Sequence, residues 1–321
     1  MAFKPPAPTP SGLWRRVPPA IFPPIMGLFG LGLAWRRAET VFALPSGISD
    51  TILGAVTLLY LFALVAYVVK ITRRPGVVAE DLRILPGRAG LGTMVLCLYL
   101  LAIAVLPHSA SLAWVVLVAG FATHALLVVL LILQLVKGPA EQRRVTPVWH
   151  LNYVGFIIGA LAAALMQYYL FAFALFMATA IVAALIWAVS LEQFVKEDVP
   201  APLRPLLSIH LAPVALIGLV AGSLDLDAVA MGSSGIAALL FVWFMARMPW
   251  LIASGFSPFW GSFTFPMAAT ANLWLSVGGA WRYPGAIALV AATFVVPAIA
   301  FRVLKLWAKG SLSVKTNAAT A

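Results

Sequence analysis

The amino-acid sequence predicts an all-α integral membrane protein with ten transmembrane helices arranged as five helical hairpins. Three observations lead to this prediction. The 321 residues are 63% hydrophobic and only 10% charged, whereas a soluble domain is near half apolar and a quarter charged. The apolar residues form ten stretches, each about as long as the roughly 20 residues that cross the hydrocarbon core. With the chain divided in this way, 18 of the 21 basic residues lie on one side of the membrane.

The ten spans are separated by very short turns on one face and by longer charged loops on most of the other. The transmembrane domain covers 18–305, and 1–17 and 306–321 are short tails. The predicted spans are 18–35, 48–71, 86–106, 110–136, 147–166, 168–191, 204–223, 228–247, 256–277 and 283–305.

The basic residues predict the orientation of the chain in the membrane. Only Arg36, Arg37 and Arg282 fall on the face opposite to the other 18. The positive-inside rule therefore places both termini in the cytoplasm, and an odd number of spans would destroy the asymmetry. We interpret the net charge of +11 as lysines and arginines that meet anionic lipid head groups, and not as a nucleic-acid-binding surface.

Proline and glycine distinguish the odd spans from the even ones. Pro213 and Pro266 interrupt odd spans, whereas the even spans lack internal proline except for Pro297. Proline kinks a helix, and the carbonyls that it frees need protein or water as partners within a membrane. We therefore expect the odd spans to enclose a central channel and the even spans to face lipid. The alternative is that pairs such as Gly218 and Gly222 simply allow close helix packing.

The predicted membrane interior carries almost no charge, since no Asp, Glu, Lys or Arg lies in the middle of a span. Proton-coupled transporters usually need an intramembrane carboxylate, and cation pores need acidic rings. A weakly polar conduit with a basic mouth fits a monovalent anion better. Four scattered histidines and the single Cys97 provide no catalytic cluster, so an enzyme is disfavoured. The same residues indicate no metal or cofactor site.

Polar side chains in the odd spans are candidates for contact with an anion. His150 in span 5 and His210 in span 7 can each face the channel and donate a hydrogen bond. The alternative is that each bonds to a neighbouring carbonyl near a helix end. Asn152 adds a second polar group early in span 5, and these groups would alter selectivity if they face the channel.

Four short segments, in order along the chain, resemble the tellurite-resistance protein A and slow-type anion channel family. Each segment alone is a weak signal, but together they follow a matching ten-span plan over essentially the whole chain. The segments are Pro19–Pro23 followed by Gly27–Trp35 in span 1, Thr146–Trp149 at span 5, Leu211–Pro213 in span 7 and Phe263–Pro266 in span 9.

The resemblance implies a quasi-fivefold fold in which the odd helices line a pore. It also implies a homotrimer with one pore per protomer, which conducts small anions such as chloride and nitrate passively across a bacterial inner membrane. A phenylalanine in the ninth helix plugs the pore. The matching residue is Phe265, with Phe263 as the alternative register, and Pro266 makes the helix deformable. Ordinary apolar packing is the other explanation of Phe265.

The resemblance and the polar residues together define a set of candidate pore-lining positions. They also leave a second function open, because bacterial members are associated with tellurite and dicarboxylate transport. A secondary exporter of tellurite, C4-dicarboxylate or sulfite is therefore the alternative to a channel. The candidate pore-lining residues are Phe22, Pro23, Trp149, His150, Asn152, His210, Pro213 and Thr264.

Overall fold

The computed structural model describes residues 12–321, and this part of the chain is helical without β-strands. Three short helices cover Val77–Arg83, Met248–Leu251 and Ser311–Lys315. Ten α-helices in the described range have ten or more residues. They are α1 (Phe22–Val41), α2 (Ile48–Arg73), α3 (Leu85–Val105), α4 (Ala110–Lys137), α5 (Phe156–Leu165), α6 (Tyr169–Lys196), α7 (Leu211–Ser223), α8 (Asp227–Ala246), α9 (Thr264–Val277) and α10 (Arg282–Ala308).

Seven helical segments within residues 12–321 are long and apolar enough to cross a membrane, so the protein is a multi-pass membrane protein. They contain α2, α3, α4, α6, α7, α8 and α10. The other three predicted spans contain shorter or more polar helices. Arg36, Arg37 and Glu39 lie near the end of α1, while α5 and α9 have only 10 and 14 residues.

Four of the odd-numbered helices are preceded by a helical segment with different hydrogen bonding. Turns of 3-10 helix cover Pro19–Ile21, Ala201–His210 and Pro258–Phe263, and a π-helix covers His150–Val154. Proline contributes to this pattern, because Pro213 and Pro266 are the third residues of α7 and α9. A proline has no N–H, so the α-helical ladder cannot continue backwards across it.

Several boundaries differ from the sequence prediction. The α-helices of the fifth, seventh and ninth spans begin at Phe156, Leu211 and Thr264 and not at 147, 204 and 256. The first helix covers Phe22–Val41 and not 18–35, because the prolines before it delay the α-helix and its last, charged turns continue beyond the apolar stretch. A short helix, Val77–Arg83, also occupies part of the loop predicted between spans 2 and 3.

Burial separates the helices into two groups. We call α1, α3, α5, α7 and α9 the inner helices and α2, α4, α6, α8 and α10 the outer helices. In their most apolar stretches, 83% of the residues of α3 and 72% of those in the segment that ends in α7 are buried. The corresponding share in the five outer helices lies between 28% and 39%. The outer helices therefore carry most of the exposed apolar surface.

The inner helices form a closed ring by their contacts. α1 packs against α3, α3 against α5, α5 against α7, α7 against α9, and α9 returns to α1. Each inner helix also packs against the outer helix that follows it in the chain. The centre of this ring contains the cavities described below.

A buried ion pair holds several segments together near the start of the inner helices. Lys70 Nζ lies 2.8 Å from Asp81 Oδ2, and both side chains are fully buried. The hydroxyl of Tyr67 and the backbone N–H of Ala319 also donate to this carboxylate. Because Lys70 donates a further bond to the carbonyl of Val17, the pair ties α2 to both ends of the described chain.

Candidate functional site

Two cavities lie inside the ring of inner helices. The first has a volume of about 40 Å³ and is lined by residues near the start of the inner helices and in the segments before them. Its lining comes from all five inner spans, so these spans begin on the same face of the molecule. The lining residues are Ala20, Pro23, Met26, Pro86, Ala89, Thr93, Leu151, Leu206, Ile209, Ala212, Pro258, Phe259, Gly261, Ser262, Phe265 and Pro266.

The second cavity lies further along the inner helices and has a volume of about 20 Å³. A cavity needs a volume of roughly 10–15 Å³ to hold one water molecule, so each of these cavities holds only a few waters. The lining residues are Met26, Leu96, His150, Leu151, Val154, Gly155, Ile157, Ile158, Ile209, Ala212, Pro213, Leu216 and Phe265.

Phe265 belongs to the wall of both cavities and lies where they meet. Met26, Leu151, Ile209 and Ala212 are the other residues shared by the two linings. These side chains come from the first, fifth, seventh and ninth spans and are all apolar. They form an apolar constriction between the two cavities.

The position of the Phe265 ring depends on a glycine in α1. Phe265 is the second residue of α9 and only 5% exposed. A Cβ atom at Gly30 would lie 3.0 Å from Cδ2 of the ring and 3.2 Å from the Cβ of Ala268. The missing side chain at Gly30 therefore leaves the space that the ring occupies.

Neither cavity exposes charge in the described part of the chain, since no Asp, Glu, Lys or Arg is among the lining residues. The two hydroxyl groups in the first cavity are directed at backbone carbonyls. Thr93 Oγ1 lies 2.9 Å from the carbonyl of Ala89, and Ser262 Oγ lies 2.6 Å from that of Pro205. The path past Phe265 is consequently apolar and weakly hydrated.

His150 and His210 form a pair at the edge of the second cavity. Nε2 of His150 lies 3.0 Å from Nδ1 of His210, and the two rings are nearly perpendicular. One of these two nitrogens must carry a proton and donate the hydrogen bond, and the other must accept that bond. His150 lines the cavity and its Nδ1 is buried without a hydrogen-bond partner, whereas His210 lies behind it.

The remaining sequence candidates fall into two groups. Pro23 and Pro266 line the first cavity and Pro213 lines the second. The others line neither cavity. Phe22 contacts Tyr60 and Tyr67, Trp149 contacts Tyr153, Asn152 donates to the carbonyl of Val148, Thr264 donates to that of Gly261, and Phe263 contacts Trp260.

Sequence reasoning missed most of the constriction around Phe265. Met26, Leu151, Ile209 and Ala212 are ordinary apolar residues, and nothing in their identity distinguishes a cavity wall from helix packing. The position relative to proline is a usable signal for one of them, because Ala212 directly precedes Pro213 just as Phe265 directly precedes Pro266. Equivalent residues in the seventh and ninth spans thus meet in the same constriction.

One comparison identifies the family. The model of the voltage-dependent anion channel family matches residues 16–307. The chain belongs to this family. The tellurite-resistance protein A belongs to the same family, so the resemblance read from the short segments is confirmed. Its members are channels and transporters of anions and not enzymes. No curated protein matches the chain closely enough to name a relative.

Proposed function

We propose that this protein is a gated passive channel for small monovalent anions such as chloride and nitrate, and that Phe265 closes its pore. The observation that carries the proposal is the position of Phe265 in the wall of both cavities inside the ring of inner helices. In this proposal the ten spans form five hairpins with quasi-fivefold symmetry, and the odd spans line the pore. The closed ring of contacts and the burial of the inner helices support it.

The closed state follows from the cost of dehydrating an ion. An ion that passes the constriction must lose most of its water, which costs several kcal/mol in an apolar environment. The ring edge of Phe265 is weakly positive, so it opposes an anion less than a cation. Selectivity then follows ease of dehydration, and large, weakly hydrated anions permeate best.

Opening requires the Phe265 ring to leave the constriction. The ring must adopt another rotamer or move with its helix. Pro266 follows directly, and because it interrupts the hydrogen-bond ladder it makes the start of α9 deformable. Pro266 is therefore the proposed hinge of the gate.

The membrane setting completes the proposal. The charge asymmetry supports an orientation with residues 1–17 and 306–321 in the cytoplasm, and the first cavity then faces the cytoplasm. The bacterial inner membrane rests on the resemblance. A homotrimer with one pore per protomer rests on the resemblance alone. Cross-linking in the membrane tests it, with a trimer as the expected product and a monomer as the contrary result.

The decisive test compares two phenylalanines that are two residues apart. Phe265→Ala removes the ring from the constriction, and we expect an anion current at least about a hundredfold above the parent, because each 1.4 kcal/mol removed from a barrier gives a factor of ten. Its reversal potential should follow the anion gradient. Phe263→Ala is the matched control, since Phe263 lines neither cavity, and should leave the pore closed. A silent Phe265→Ala variant that reaches the membrane would refute the gate.

A second candidate function is a secondary exporter of tellurite, C4-dicarboxylate or sulfite. The His150–His210 pair favours it, because this titratable pair lies beside the second cavity. The pair can hold a proton, and the spans contain no carboxylate in their middle that could do so. An exporter predicts saturable flux that depends on the proton gradient in proteoliposomes. Flux that is unchanged by collapsing that gradient eliminates this candidate.

A further inference from the structure

Three of the eight buried polar side-chain atoms without a hydrogen-bond partner in the described residues belong to His150 and to outer helix α6, which packs against it. His150 Nδ1, Trp187 Nε1 and Ser190 Oγ are all buried and have no partner within the described residues. An unsatisfied polar atom in a membrane interior costs free energy, so three of them in one region indicate a ligand that pairs with them.

These atoms share one contact between helices. Outer helix α6 packs against the π-helical segment His150–Val154, and the ring centroids of His150 and Trp187 lie 5.5 Å apart. Ser190 follows Trp187 by three residues and therefore lies on the same helical face. This face also contains the buried residues Ala183 and Ile186, so it is directed into the protein.

The chemistry of the atoms selects an acceptor as their ligand. An indole N–H can only donate, and a serine hydroxyl can donate. If Nδ1 of His210 donates to Nε2 of His150, the proton of His150 resides on its own Nδ1, and this nitrogen becomes a third donor. His150 is 3% exposed and lines the second cavity, where no lining residue among those described is acidic. His150 therefore connects the second cavity to the donors on α6.

We propose that His150, Trp187 and Ser190 form a binding station for one small monovalent anion beside the second cavity, with His210 as the positioning residue that fixes the proton on His150. The station deepens the proposed channel function and rests on it, because the ion arrives through the same ring of helices. A station of neutral donors holds a weakly hydrated ion without trapping it, as conduction requires.

Bromide binding tests the station directly. Crystals of the full chain grown in bromide should give an anomalous peak in contact with the rings of His150 and Trp187. The peak should disappear in Trp187→Phe, which keeps an aromatic ring and removes the N–H. Absence of a peak in contact with both rings in the parent protein, or its persistence in Trp187→Phe, Ser190→Ala and His150→Phe alike, overturns the proposal. Both results are independent of transport.

Conduction provides the second readout in the Phe265→Ala background. His150→Phe should raise the chloride concentration that gives half-maximal current by about tenfold, the factor for one hydrogen bond to a charged group. Trp187→Phe and Ser190→Ala should raise it several-fold, and His210→Gln should shift it more than it changes the maximal current. Trp35→Phe is the matched control, because the indole of Trp35 donates to Thr293 away from the station.

The outcomes separate the station from the channel. If Phe265→Ala carries no current, the proposed function fails, and the bromide result still decides the station. If Phe265→Ala conducts but the three station variants keep the parental half-saturation, the station fails alone and water is the partner of these donors.

Discussion

The burial of the inner and outer helices does not follow their hydropathy. Outer helix α4 is more hydropathic than inner helix α3, yet 28% of its apolar stretch is buried against 83% in α3. In a soluble protein the more apolar helix would be the more buried one. In α3 and α4 this order is reversed, because lipid is the solvent of the outer helix.

Glycines of α3 and α7 differ from those of the outer helices α2 and α8 in the space around them. A Cβ at Gly90 of α3 would lie 2.3 Å from the backbone of Pro19, and one at Gly218 of α7 would lie 2.6 Å from Leu273. By contrast, Gly54 of α2 and Gly232 of α8 have no such neighbour within 4 Å. Small residues thus permit close approach between the inner helices, while the glycines of these two outer helices are free of this role.

The largest expected effect comes from the place where an outer helix does contain a buried charge. Asp81→Asn leaves Lys70 in a fully buried site without a counter-charge. Breaking a buried pair in this way costs about 3–5 kcal/mol, and unfolding in detergent micelles measures the loss. Glu197→Gln is the control, because its pair with Arg144 is exposed. Equal losses in the two variants would contradict the account.

Replacing a glycine of an inner helix and one of an outer helix by alanine should give the next largest difference in the free energy of unfolding. A Cβ at Gly27 of α1 would lie 2.1 Å from Thr264 Oγ1 and 3.0 Å from its backbone carbonyl carbon. We expect Gly27→Ala to lower the free energy of unfolding by about 1–3 kcal/mol through overpacking. Gly232→Ala should be neutral or stabilising, since alanine favours helix. Thermal unfolding of the two variants side by side decides whether the contrast holds.

The smallest expected effect concerns a surface ion pair that belongs to neither the inner nor the outer helices. Arg74, hydrogen-bonded to Glu80, holds the pKa of that carboxyl below its usual range. The stabilisation is therefore present above the ordinary carboxyl pKa of about 4.3 and is lost as the pH falls through the lowered value. Because both side chains are about 40% exposed, we expect Glu80→Gln to lower the melting temperature by no more than about 2 °C at neutral pH. A larger shift, or one that persists in acid, would show that Glu80 has another role.

Much of the helical framework could be predicted because it depends on hydropathy and charge. The outer helices α2, α4 and α8 begin and end within a few residues of the predicted spans, since a lipid-facing helix is specified by its own apolar length. The inner spans were less predictable. Whether residues such as His150–Val154 adopt α, π or 3-10 geometry depends on neighbouring helices and on prolines several residues away.

The candidate site could be predicted from two kinds of signal. Phe265 was singled out by the family resemblance of its segment, and the two histidines were singled out because polar groups are rare in these spans. The hydrogen bond between His150 and His210 could not be predicted, since the residues are 60 positions apart and no local pattern pairs them. Phe22 and Thr264 were expected in the pore lining, but Phe22 contacts Tyr60 of α2 and Thr264 donates to the carbonyl of Pro23 in α1. Their neighbours Pro23 and Phe265 line the first cavity instead, because successive helical side chains point about 100° apart.

The most direct test of the central claim asks whether Phe265 separates the two cavities. Cys97 is the single cysteine of the chain, so Cys97→Ala provides a background without thiols. In it, Ala89→Cys places a thiol in the wall of the first cavity and Ile158→Cys places one in the wall of the second. A small thiosulfonate reagent is added from the face on which the inner helices begin.

The account predicts that Ala89→Cys reacts whether or not Phe265 is present, and that Ile158→Cys reacts quickly only when combined with Phe265→Ala. Equal rates for Ile158→Cys with and without Phe265 would contradict it, because the ring would then close nothing.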